Sequence, residues 1–92
     1  MTPPVSDAWT WEYDPDDEHV AAGLPIMVIA EVERLAGQLA ILGRDAAGAG
    51  RGPLYGGGLR TLDLFGGRGF LHFIVADHLR LVLIVRITWL DE

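Results

Sequence analysis

Apolar and polar side chains alternate strictly over residues 8–13, with Trp9, Trp11 and Tyr13 on one side and Thr10 and Glu12 on the other. A repeat of two marks a half-buried strand. Asp14-Pro15 comes next and predicts a helix start, with Asp14 as N-cap and Pro15 at the first helical position. Asp16, Asp17 and Glu18 then complement the dipole of that first turn. Gly23 and Leu24-Pro25 cut this helix short. Pro25 opens a second one, because Val28, Val32, Leu35, Leu39 and Leu42 recur at steps of three and four, with Ile29 and Ala36 beside them. Glu31, Glu33, Arg34 and Gln38 fill the complementary face. That spacing predicts an amphipathic helix over residues 26–42, stopped by Gly43 and paired with the first as a helical hairpin.

Residues 43–58 hold seven glycines and read as a loop without periodic structure. Three strand patterns follow. Over 59–64, Arg60, Leu62 and Leu64 face one way and Leu59, Thr61 and Asp63 the other. Residues 65–69, with three glycines, predict a hairpin turn into a strand over 70–76. Asp77-His78 closes that strand, and residues 80–89 form an almost continuous apolar run, the mark of a central strand buried on both faces. The order β-α-α-β-β-β predicts an α+β domain over residues 9–90, a helical hairpin packed on a twisted, mainly antiparallel sheet, after a flexible leader at 1–8.

Composition narrows the chemistry. The 92 residues suit one domain, and half of them are hydrophobic; a chain of this size buries roughly 60–65% of its unfolded surface. Without cysteine there is no disulfide, thiolate metal site or cysteine nucleophile. Without lysine there is no P-loop. The N-terminus lacks the basic and apolar regions of a signal peptide, and the longest apolar stretch is too short to span a bilayer, so the expectation is a cytoplasmic protein without a membrane partner.

The net charge of −6 is unevenly spread. Residues 1–20 carry six acids and no arginine, whereas residues 44–86 carry six arginines and three acids. Broad nonspecific nucleic-acid binding calls for a strongly basic domain, which this is not. A small arginine-built patch remains open.

His72 is the acid/base candidate, since imidazole titrates near neutrality; the alternative is a packed or surface histidine. Arg80 and Arg86 are six apart, which on a regular strand places them on the face of Val82, Ile84 and Thr88. They read either as partners of Asp63, Asp77 or Asp91, or as forks for phosphate, with Arg60 and Arg68 completing the patch. No two histidines have metal-ligand spacing, so neither metal nor cofactor is expected. Trp9, Trp11 and Trp89 read as core or edge aromatics, or as stacking surfaces for bases.

The residues from the aromatic strand through Gly23-Leu24-Pro25, the long helix to Gly43, Gly58-Leu59-Arg60-Thr61-Leu62, the hairpin, Phe70–Asp77 and the last strand together resemble the RelE/ParE superfamily of bacterial toxins. Arginine-only basic usage gives the chain the look of a divergent actinobacterial member. The resemblance implies a sheet with the last strand central and the N-terminal strand beside it. It also implies one of two actions: ribosome-dependent cleavage of mRNA, or poisoning of DNA gyrase by binding. Against the pattern this resemblance implies, the acid/base positions are mostly replaced here, by Asp63, Phe70-Leu71-His72-Phe73 and Thr88-Trp89; Arg86 alone remains as a matching cation, and Arg68 reaches the same face only if the strand starts early.

Three readings follow. The first expectation is a toxin-like component of a toxin-antitoxin pair that arrests growth by binding the translation or DNA-topology machinery. The second is an mRNA endonuclease with His72 and Arg68 catalytic and Arg60, Arg68, Arg80 and Arg86 holding RNA. The third is a non-toxic protein-interaction module. The expected partners are a cognate antitoxin and the ribosome with its mRNA or DNA gyrase, and the expected state is a monomer or weak homodimer.

Overall fold

The structure, a computed structural model, describes residues 8–52 and 58–90. The first seven residues of the expected leader, residues 53–57 of the glycine-rich segment, and Asp91, a named candidate ion-pair partner, lie outside the described residues.

Four strands form one mixed sheet: β1 (Thr10–Tyr13), β2 (Arg60–Leu64), β3 (Gly69–Ala76) and β4 (Leu81–Trp89), in the order β1-β4-β3-β2. β1 runs parallel to β4, while β4–β3 and β3–β2 are antiparallel. One long helix, α2 (Ile26–Leu42), covers one face of the sheet with the single turn α1 (Asp17–Val20) beside it. The architecture is α+β, with a core between helix and sheet. Val28, Val32, Ala36 and Leu39 of α2 meet Leu64, Leu71, Phe73, Val82 and Ile84 of the sheet, all of them buried. Their i, i+4 and alternating spacings are the two periods that aim these side chains at one another. Trp9, Trp11 and Tyr13 pack at the edge of this core, the last two with rings edge to face at 5.1 Å.

Four local expectations change. Asp14 does not cap α1, because the turn begins later; Asp16 is the N-cap, its carboxylate accepting from the His19 amide at 2.9 Å. Pro15 lies before the N-cap, in the bend between β1 and α1, and so is not the first helical residue; the Asp14–Pro15 peptide is cis. With α1 only four residues long, the expected helical hairpin reduces to one helix and a capped turn. The glycine-rich segment contains structure of its own: Gly43–Gly48 forms a 3-10 turn, and Arg51 bridges Thr61 at the edge of β2.

A fifth change concerns β4, which is central in the sheet but buried on one face only. Val82 and Ile84 are buried against the helix, while Leu81 and Leu83 lie half-buried on the opposite face. Register then shifts. Phe73 pairs with Ile84 but His72 pairs with Arg86, so Val85 is an extra residue in the strand. This β-bulge inverts the alternation beyond it. Arg86 and Thr88 therefore lie on the open face, opposite the side of Val82 and Ile84, and the shared face expected from the six-residue spacing does not exist. Arg80 is not in the strand; it sits in the preceding turn with φ of 50°.

Candidate functional site: the open sheet face

The side of the sheet away from α2 carries the outward residues of all four strands. Thr10 and Glu12 come from β1, Leu81, Leu83, Arg86 and Thr88 from β4, Phe70, His72 and Ile74 from β3, and Thr61 and Asp63 from β2. Cross-strand neighbours of this kind are the units that stabilise a sheet. At the centre is His72. Its Nδ1 lies 3.2 Å from the Thr61 hydroxyl and its Nε2 lies 3.2 Å from the Thr88 hydroxyl. A neutral imidazole has one donor and one acceptor nitrogen, and a hydroxyl can serve as either. The two threonines thus satisfy the ring completely and tie β2, β3 and β4 together.

The electrostatics act in one direction. Partial burial of the ring, and then the Arg86 guanidinium, hold the His72 pKa below the ordinary histidine value. Neutral imidazole is the resting form. A general base needs a free nitrogen aimed at a substrate proton, and here both nitrogens are occupied within the sheet.

The arginines proposed as its companions do not gather around it. Arg60 lies on the helix side of β2 and turns back to the chain, donating to the carbonyls of Ala49 at 3.4 Å and Gly50 at 3.0 Å. Arg68 is in the β2–β3 turn, its guanidinium 5.5 Å from the centre of the Trp89 ring, which also packs edge-on against Phe65. Arg80 is in the turn at the opposite end of β3. Of the arginines expected to bind phosphate, Arg86 alone stands beside His72.

Sequence reasoning passed over Thr61, Thr88 and the pair formed by Arg51 and Asp63. Arg51 donates to Asp63 at 2.7 Å, next to Thr61 on the same face. Two other arginines are also committed locally, Arg34 in a fork with Glu31 and Arg44 with Asp77 at 3.0 Å.

Comparison with protein-family models, curated proteins and solved structures gives no match.

A concavity of about 250 Å³ lies between α1 and α2, lined by Tyr13, Asp17, Glu18, Ile29 and Glu33 among others. There the Tyr13 hydroxyl donates to Glu33 at 3.1 Å. Burial, then that carboxylate, raise the phenol far above its ordinary pKa, so Tyr13 stays a proton donor. Three carboxylates make this cleft repel phosphate. Among the described residues no group of three or more His, Asp or Glu could hold a metal ion, and no helix is long and apolar enough to cross a membrane. The open sheet face, half apolar and edged by Arg86, Asp63 and Glu12, is a surface suited to contact rather than a pocket suited to chemistry.

Proposed function

We propose that this chain is a RelE/ParE-like toxin component that arrests growth by binding the translation or DNA-topology machinery in the cytoplasm, without catalysis of its own. The observation that carries the choice of binding over cleavage is the Thr61–His72–Thr88 ladder. Cleavage of RNA by its own 2′-hydroxyl needs a base, an acid and cations converging on one phosphate. Here the imidazole is engaged on both sides, Arg60 and Arg68 are held elsewhere, and Arg80 belongs to the turn between β3 and β4. The toxin reading itself rests on the sequence resemblance, with the internal position of the last strand and the flanking N-terminal strand in its favour. The contact surface is the open face, where Phe70, Ile74, Leu81 and Leu83 offer apolar area beside Arg86. A cognate antitoxin in this reading covers apolar surface with a helix or strand, as extended and helical peptides commonly do.

The test is inducible expression in a bacterial host, with growth, ribosome-bound mRNA cleavage and gyrase supercoiling followed together. The expected result is arrest without mRNA cleavage, retained by His72→Gln and lost with Phe70→Asp or Arg86→Glu. Position-specific mRNA cleavage abolished by His72→Gln would overturn the binding mechanism, and normal growth on expression would overturn the toxin reading.

A further inference from the structure

The long helix has a second patterned face. Ile26, Ala30, Glu33, Arg34, Gly37 and Ile41 fall within about 100° of arc at 3.6 residues per turn, directly opposite Val28, Val32, Ala36 and Leu39. Ile26 and Ile41 at the two ends are 85% and 86% exposed, as bare as large apolar side chains become in a folded chain. Solvated helix faces ordinarily carry polar residues there. Gly37 has nothing near the position a Cβ would take, so no contact among the described residues explains the small residue.

The stripe reads the same from both ends. Turning the helix end over end about the midpoint between Glu33 and Arg34 places Ile26 on Ile41, Ala30 on Gly37 and Glu33 on Arg34. A two-fold interface demands this property: if residue i meets residue j of the other copy, then j must meet i. Each of the three pairings is favourable. The isoleucines cover one another, Ala30 against Gly37 leaves room for close helix approach, and the central pair joins opposite charges twice. The carboxylate of Glu33 uses Oε2 for Tyr13, and the Arg34 fork to Glu31 uses Nε and Nη2, so each has a further polar atom for a partner.

We infer that the protein forms a homodimer through antiparallel pairing of α2 with the α2 of a second copy, Ile26 meeting Ile41 at each end and Glu33 meeting Arg34 at the centre. A helix-on-helix contact sits at the small end of specific interfaces, about 1,200 Å² in total, so this dimer forms at high protein concentration and dissociates on dilution. It leaves the open sheet face uncovered, because that face is on the other side of the molecule.

Sedimentation velocity on the full chain, over a concentration series reaching about 1 mM, tests the pairing. The wild type shifts from monomer to dimer, and Ile26→Glu or Ile41→Glu weakens the dimer by about tenfold or more, because each substitution sets a carboxylate against isoleucine at both ends of the interface. Arg34→Glu weakens it likewise, and adding Glu33→Arg to the same chain restores it, which only an antiparallel register achieves. Far-UV circular dichroism confirms that each variant is folded. The absence of cysteine gives a second readout. Positions 26 and 41 are about 22 Å apart along one helix, so the double variant Ile26→Cys, Ile41→Cys forms a covalent dimer on oxidation, while neither single variant does. A wild type monomeric at every concentration, or a dimer indifferent to both isoleucine variants, overturns the inference and assigns the stripe to another protein.

Discussion

Gly69 sits where β3 and β4 approach too closely for any side chain. A Cβ there would lie 2.7 Å from the Thr88 carbonyl oxygen and 2.9 Å from the Trp89 ring. Gly69→Ala is expected to cost about 1–3 kcal/mol, the scale of overpacking in a filled core. Gly37→Ala makes the opposite case: in an open helical position it gains up to about 1 kcal/mol. Urea unfolding of the two variants at low protein concentration checks both signs. His72 gives a residue-scale prediction in pH. Its pKa is held below the ordinary value near 6.5, by burial first and Arg86 second, so the unfolded chain takes up that proton at higher pH than the folded one. The unfolded state binds more protons just below the ordinary value, and stability falls as pH drops from there toward the lower folded value. The wild type minus His72→Gln difference in urea midpoint should shrink over that descent. A constant difference between about pH 7 and pH 5 would show that the ring does not titrate differently on folding. Exposed His19 and His78 are common to both proteins and cancel in the difference. Half of the His72 site could be counted out from the sequence alone. Once Leu64 and Gly69 close the turn, Thr61 must face His72. Thr88 could not be found that way, because a residue between Ile84 and Arg86 breaks the count.

That break belongs to the scale of the element. Residues 80–89 read as one regular strand, and the expected alternation fails from Val85 onward because a bulge has no apolar or polar signature of its own. The structure makes the extra residue removable. With Val85 deleted, Ile84 still pairs with Phe73 and the next residue, Arg86, still pairs with His72, so inward and outward faces are kept on both sides. Deletion of Val85 is therefore expected to leave a folded protein, weakened by about 1–2 kcal/mol for a half-buried valine. Deletion of Leu83 forces Ile84 or Val82 to the wrong face and is expected to abolish cooperative unfolding, since a one-residue slip exchanges the two faces. Thermal unfolding by circular dichroism separates the two cases. The helical elements were legible to different degrees for a related reason. The span of α2 matches its periodicity over 26–42 because seventeen residues average out local exceptions. In α1 a single cap decides where four residues begin, and the Asp14-Pro15 pattern points to Asp14 while the structure uses Asp16. Asp16→Ala removes the N-cap and should lower the thermal midpoint, whereas Asp14→Ala should leave it nearly unchanged.

Across the whole molecule, charge is divided between a β1–α1 edge that is acidic and a sheet half that holds most of the arginines. Composition alone left a small basic patch open; side-chain placement shows that most of the positive charge is already used. Arg34, Arg44 and Arg51 are in ion pairs with Glu31, Asp77 and Asp63, and Arg60 holds the loop carbonyls of Ala49 and Gly50. Arg68 rests on Trp89, at the turn rather than on the open face. Phosphate affinity grows with the number of cations that can neutralise a backbone together, and each such contact steepens the dependence on salt. One arginine, Arg86, beside a neutral His72, gives a slope of about −0.7 in log K against log salt for a single-stranded ligand, where several convergent arginines give several times that. Fluorescence titration with a labelled single-stranded RNA should therefore show binding no tighter than about 100 µM near physiological salt, the weak limit of nonspecific association. If the open face instead meets a protein, mixing with that target should bury Phe70, Ile74, Leu81 and Leu83, with salt exerting little effect because the contact is mainly apolar. A micromolar RNA affinity that falls steeply with salt would mean that the arginines rearrange on binding, and would move the mechanism back toward RNA.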